Sequence, residues 1–337
     1  MSDLAKHRTF VHQLTTLNFT LVSTLSNTTK SSRMSSDTIA TTSRIRPAGI
    51  SRHPDYSFTP DSNIKMPTLE VPGADLHYDT FGSGPALLLI TGADGRGSVW
   101  HPLAKHLSAH HTVISYDRRG YSASHIKGTQ DYTNRLTTDA DDAALLIEHL
   151  SPTNNAIVVG NSSGAIVSQT LLLRHPDRVS KLISHEPPAF GALPPDFRAK
   201  GEHVINHIYN QYRTHGPITA MEEFIAGLDT GSEATLMRSL MHPSSSYEIR
   251  ANSMFWFEFE LRQYPCADVD VEGLVKLKEK FIPAAGEDSG MGVGVAPIAA
   301  IAGAVGREML RLPGGHVGFM TQPEKWAAAL LEGIGRY

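Results

Sequence analysis

Residues Gly160-Asn161-Ser162-Ser163-Gly164 spell G-x-S-x-G. A short apolar run of β type, Ala156–Val159, leads into them, and a run of helix type, Ala165–Leu173, follows. In a strand–turn–helix setting this pattern is a nucleophile elbow, which lifts the serine oxygen clear of the sheet. The flanking glycines let a crowded backbone make the turn. The helix start aims backbone N–H groups at the reacting carbonyl. A serine hydroxyl is a weak nucleophile, so it needs a base for its proton and donors for the oxyanion it creates. Ser162 is the candidate nucleophile, and the chemistry is acyl transfer.

The base is expected at His316, in Pro313-Gly314-Gly315-His316-Val317-Gly318, between the last strand and the last helix. An imidazole in this role needs a carboxylate that fixes its tautomer and stabilises its cation. Asp288, just after an apolar strand in Ala285-Gly286-Glu287-Asp288-Ser289, is the expected acid, since it gives the chain order Ser, acid, His. Glu186, in His185-Glu186-Pro187-Pro188, and Glu287 are the alternative acids. The oxyanion donors are expected to be the backbone N–H of Ser163 and that of Ala93, in the loop Thr91-Gly92-Ala93-Asp94-Gly95. An acid beside a developing anion is unfavourable, so Asp94 is expected to point away, cap a helix or meet polar parts of a substrate.

These residues need elements to hold them. Strands are predicted at Leu76–Phe81, Ala86–Thr91, Thr112–Asp117, Asn155–Gly160, Val179–His185, Lys280–Ala285 and Glu308–Leu312. Helices are predicted at Ser98–Ser108, Asp139–Leu150, Ser162–Arg174 and Gln322–Ile334. Alternating strands and helices imply a mostly parallel sheet covered on both faces, with chemistry at the carboxyl ends of the strands. Each candidate residue follows a strand. The alternation breaks over 188–270, which reads as a helical insert carrying Tyr209, Tyr212, Phe224, Met237, Met254, Phe255, Trp256, Phe257, Phe259 and Tyr264. Such an insert would cover the site as a lid, and its large side chains either pack the lid down or line an apolar acyl pocket.

From about residue 67 to 337 the chain resembles the α/β-hydrolase fold superfamily. The matching features come in order: Thr91-Gly92-Ala93, Tyr116-Asp117-Arg118-Arg119-Gly120-Tyr121-Ser122, the Gly160–Gly164 elbow and Gly315-His316. The departure is Thr91, where the superfamily often has His before the Gly. The resemblance implies an α/β fold with a mostly parallel eight-stranded sheet, helices on both faces and a helical lid after the sixth strand. Composition and the broken alternation divide the chain into an extension over 1–65, outside the resemblance, a core over 66–187 and 271–337, and a lid over 188–270. The resemblance also implies a structural role for the Arg residues of the Asp-Arg-Arg-Gly turn. A serine at the elbow, rather than Asp, disfavours epoxide hydrolases and haloalkane dehalogenases. Cleavage of a carboxylic ester, lactone, thioester or amide remains; acyl transfer or cyclisation on the same fold, or ligand binding without catalysis, are the alternatives.

Composition narrows the class further. With 40% hydrophobic and 19% charged residues the chain reads as an ordinary globular protein. A net charge of −4 and scattered Lys and Arg argue against nucleic-acid binding. The single cysteine, Cys266, permits no intrachain disulfide and no cysteine metal cluster, and a bland, partly buried thiol is its expected state. The longest apolar run, Ala296–Val305, has ten residues, against about twenty for a membrane span. Gly290-Met291-Gly292-Val293-Gly294 is only loosely like a dinucleotide loop and is out of register for one. No cofactor and no metal are therefore expected, and the partner is a small, partly apolar acyl compound.

Residues 1–65 hold eight Lys/Arg against four Asp/Glu, with many Ser and Thr and no apolar period. They read as a disordered extension, with Met34 and Met66 as internal starts; the alternative is a transit peptide. The expected compartment is cytoplasmic, or mitochondrial if the extension is a transit peptide. Asn18 and Asn27 match glycosylation acceptors, but no secretory signal accompanies them.

Overall fold

The computed structural model describes residues 67–228 and 231–337; the extension over 1–65 and the start candidates Met34 and Met66 lie outside them. Nine strands form one sheet: β1 (Thr68–Val71), β2 (Ala74–Phe81), β3 (Ala86–Ile90), β4 (Thr112–Tyr116), β5 (His125–Ile126), β6 (Ala156–Asn161), β7 (Val179–His185), β8 (Phe281–Gly286) and β9 (Leu310–Leu312). The order is β1-β2-β4-β3-β6-β7-β8-β9, with the two-residue β5 pairing β2 off this path. From β4 through β9 every pairing on the path is parallel, whereas β2 runs antiparallel to β1 and β4. The expected eight-stranded sheet is this path. Strand β1 escapes a sequence reading, because a four-residue edge strand with two of its four residues exposed carries little apolar signal.

Strand β3 shows why both faces must be covered. Its side chains alternate across the sheet: Leu87 and Leu89 enter one apolar core, Leu88 and Ile90 the other. Helices α1 (His101–Leu107) and α11 (Pro323–Arg336) close the first face, where Trp100 stacks on Phe319 at 4.0 Å between ring centroids. Helices α2 (Arg135–Leu150), α3 (Ser163–Arg174) and α9 (Val295–Val305) close the second. The ten-residue apolar run is α9, a core helix. The stretch predicted as one helix from Ser98 is a tight 3-10 turn at Gly97–Trp100 that passes into α1, where Pro102 occupies the first turn.

The insert between β7 and β8 is helical as expected: α4 (Pro195–His215), α5 (Pro217–Gly227), α6 (Ala234–Met241), α7 (Tyr247–Phe259) and the short α8 (Val271–Lys276). Its aromatics do mostly packing work. Tyr212, Phe257 and Tyr264 are buried, and Tyr212 stacks on Phe257 at 4.6 Å. Met254 is exposed. A last short helix, α10 (Gly318–Thr321), precedes α11.

Candidate active site

The elbow is built by close approach. Ser162 sits between β6 and α3 with φ 57° and ψ −131°, a backbone state that costs a non-glycine residue about 1–3 kcal/mol. Neighbours without side chains make room for it. A Cβ on Gly164 would lie 2.4 Å from the Ile90 carbonyl oxygen, and one on Gly92 would lie 2.8 Å from the Ser162 Cβ. Ser162, Ser163, Ala93 and His316 all line one cavity of about 550 Å³.

The carboxylate that meets the candidate base is Glu186. His316 Nδ1 lies 2.7 Å from Glu186 Oε2. A carboxylate only accepts, so Nδ1 carries the proton and Nε2 keeps the free lone pair that a base needs. The other Glu186 oxygen, Oε1, accepts from the Gly286 N–H at 2.8 Å. Burial opposes the charge on Glu186, but the adjacent His185 and the hydrogen bond from His316 outweigh it and hold the carboxyl well below its usual range. Glu186 is buried and has φ +49°, a left-handed turn just past β7 that swings the carboxylate under the His316 loop.

The expected pairing of Asp288 with His316 is therefore corrected. Asp288 lies two residues beyond β8 on an exposed loop, where its backbone N–H donates to the Gly314 carbonyl at 2.9 Å. Asp288 also lines the cavity, but the carboxylate bonded to His316 is that of Glu186. Glu287 is likewise exposed. Chain order could not separate these acids, because Glu186 also lies between Ser162 and His316. Asp94 is not among the residues that line the cavity, and it accepts from Arg96 Nε at 2.7 Å; burial raises its pKa against that pairing.

A further carboxylate escaped the sequence reading. Glu233, buried in the insert, accepts from the Gly315 N–H at 3.0 Å and the Val317 N–H at 2.9 Å, the amides of the two residues flanking His316. A Cβ on Gly315 would lie 2.8 Å from Glu233 Oε2, so this glycine admits the clamp. No local motif marks such a residue, one of seven Glu in the 188–270 segment.

The remaining wall is apolar. Phe190, Ile205, Ile208, Phe224, Trp256 and Met291 line the cavity, so of the aromatics singled out in the insert only Phe224 and Trp256 face it. The glycine-rich segment Gly290–Gly294 forms part of the same wall. Cys266 is half-buried, and burial pushes its thiol up to about 11, which leaves it unreactive at neutral pH. Among the described residues no cluster of metal-ligating side chains occurs, and no helix is long and apolar enough to cross a membrane.

A parallel sheet, an elbow serine and a His–carboxylate pair at the strand ends define the α/β-hydrolase fold, and the chain belongs to that family. The family description "alpha/beta hydrolase fold" matches residues 85–201. An uncharacterized hydrolase of Bacillus subtilis strain 168, YraK, is 30% identical over 273 residues, 79% of this chain and 95% of that protein. Among solved structures, Est816, described as an N-acyl homoserine lactone degrading enzyme, matches with TM-score 0.61 at 19% identity, over 79% of this chain and 99% of that one. The enol-lactonase of Burkholderia xenovorans LB400 matches with TM-score 0.63 at 18% identity, over 80% of this chain and all of that one (100%).

Proposed function

We propose that the protein is a serine hydrolase that cleaves a carboxylic ester, lactone or thioester through an acyl-enzyme on Ser162. The observation that carries this reading is the His316–Glu186 hydrogen bond, which leaves Nε2 basic at a cavity that Ser162 also lines. In the first step His316 Nε2 takes the Ser162 proton while Oγ bonds to the substrate carbonyl carbon. The oxyanion is held by the Ser163 and Ala93 N–H groups. Collapse expels the alcohol, which leaves with the proton from His316. Water then repeats the sequence on the acyl-enzyme and releases the acid. The apolar wall supports an acyl group of small to medium size, and lactonases and esterases on this fold are consistent with that choice.

The test is labelling by a fluorophosphonate probe. Wild-type protein should label, and Ser162→Ala should not. Ser162→Ala and His316→Ala should each cost about 10⁴–10⁶ in kcat on an activated ester. An unlabelled wild type would sink the reading and favour a ligand-binding role.

A further inference from the structure

Arg118, in the turn after β4, is sealed from solvent. Its Nη1 donates to Asp139 at 2.8 Å. Its Nη2 donates to Glu260 at 2.8 and 2.9 Å and to the Gly92 carbonyl oxygen at 2.7 Å. Glu260 is also buried; it stands at the end of α7, in the insert, and accepts from Ser163 Oγ at 2.7 Å and from the Tyr121 hydroxyl.

The consequence lies in the geometry of one peptide unit. The Gly92 carbonyl and the Ala93 N–H belong to the same planar trans amide, so they point in opposite directions. Fixing the carbonyl on a buried cation fixes the aim of the N–H. It also polarises the amide, because hydrogen bonds in series strengthen one another in a low-dielectric interior. The second donor, Ser163, is tied through its hydroxyl to the carboxylate that holds the same cation. One ion pair thus reaches both donors from behind.

We infer that Arg118 and Glu260 are positioning residues that set the aim of both oxyanion donors, which makes the lid, through Glu260, a working part of the oxyanion hole. Neither side chain lines the cavity. The inference rests on the acyl-enzyme reading above. A purely structural ion pair is the competing explanation, since buried pairs do not by themselves indicate function. The two differ in what they move. A structural pair changes thermal stability; a positioning pair changes kcat and the binding of oxyanion mimics, with KM little affected.

Ser163→Ala removes one hydroxyl and keeps both the ion pair and the Ser163 backbone N–H. Glu260→Gln removes the charge that Arg118 leans on. On a neutral p-nitrophenyl ester, Ser163→Ala should lower kcat about tenfold with KM within about twofold, and Glu260→Gln should cost about a hundredfold, up to the range for losing one donor. Inhibition by an alkyl trifluoromethyl ketone, whose hemiketal presents an oxyanion, should weaken in parallel. Binding of the corresponding secondary alcohol should not change. If Glu260→Gln fails to fold, Ser163→Ala alone decides. A wild type that labels with fluorophosphonate, with kcat retained within twofold in the folded variants, overturns the inference. A wild type that does not label overturns the acyl-enzyme reading and the inference together.

Discussion

At the scale of single residues, Glu186 carries two opposing demands. It is a buried charge, and it survives because the His316 imidazole and the Gly286 amide donate to its two oxygens. Glu186→Gln should cost about 10²–10⁴ in kcat through a wrongly oriented or wrongly protonated imidazole, while Asp288→Asn should stay within about threefold. Parallel steady-state kinetics check this, and the reverse ranking would return the acid role to Asp288. The neighbouring His185 donates from Nδ1 to Asn161 Oδ1 at 2.7 Å, and burial lowers its pKa to about 4. An unfolded chain protonates this histidine near pH 6.5, so between about 6.5 and 4 the unfolded state binds a proton the folded state refuses. Stability should therefore fall as pH drops through that window. For this group alone the loss between pH 7.5 and 5 is about 2 kcal/mol. Urea denaturation at both pH values should show a smaller loss in His185→Gln than in wild type; equal losses would remove His185 as the cause.

At the scale of elements, the insert does more than cover the sheet. Its Glu233 grips the N–H groups of the residues on either side of His316, and its Glu260 meets Arg118 and Ser163. Two carboxylates from one insert reach the His316 loop and the Ser162 elbow separately. Glu233→Ala should loosen the His316 loop and lower kcat by about tenfold to a hundredfold, the scale of a misplaced catalytic group. Amide exchange at Gly315 and Val317 should quicken in the same variant. Unchanged exchange together with kcat within twofold would show that the loop holds its shape without the clamp.

At the scale of the whole molecule, the site is a cavity of about 550 Å³ between the strand ends and the insert. Among its described lining residues are three acids, Glu186, Glu233 and Asp288, and none is Lys or Arg. A carboxylate-bearing acyl chain would enter a site with like charge and no partner, which costs affinity. The p-nitrophenyl monoester of adipic acid should show kcat/KM at least about tenfold below that of p-nitrophenyl hexanoate. Equal values would mean that the cavity does not select on charge.

The sequence by itself determined the parallel sheet, the elbow at Ser162 and the loop that carries His316. Each is written in contiguous residues: an apolar run, a glycine-flanked serine, a Gly-Gly-His turn. Ala93 and Ser163, named from the sequence as oxyanion donors, line the same cavity as Ser162. Only the tertiary structure decided which carboxylate faces the histidine. Glu186 and Asp288 both follow a strand and both lie between Ser162 and His316, so linear order treats them alike; the left-handed turn at Glu186 and the exposed loop at Asp288 separate them. The same holds for Glu233 and Glu260. Each lies in the insert and bonds to residues far along the chain, Gly315 and Val317 for one, Arg118 and Ser163 for the other. Such contacts have no local period or motif. They exist because the fold returns the insert over the carboxyl ends of the strands, where buried N–H groups and a buried cation require acceptors.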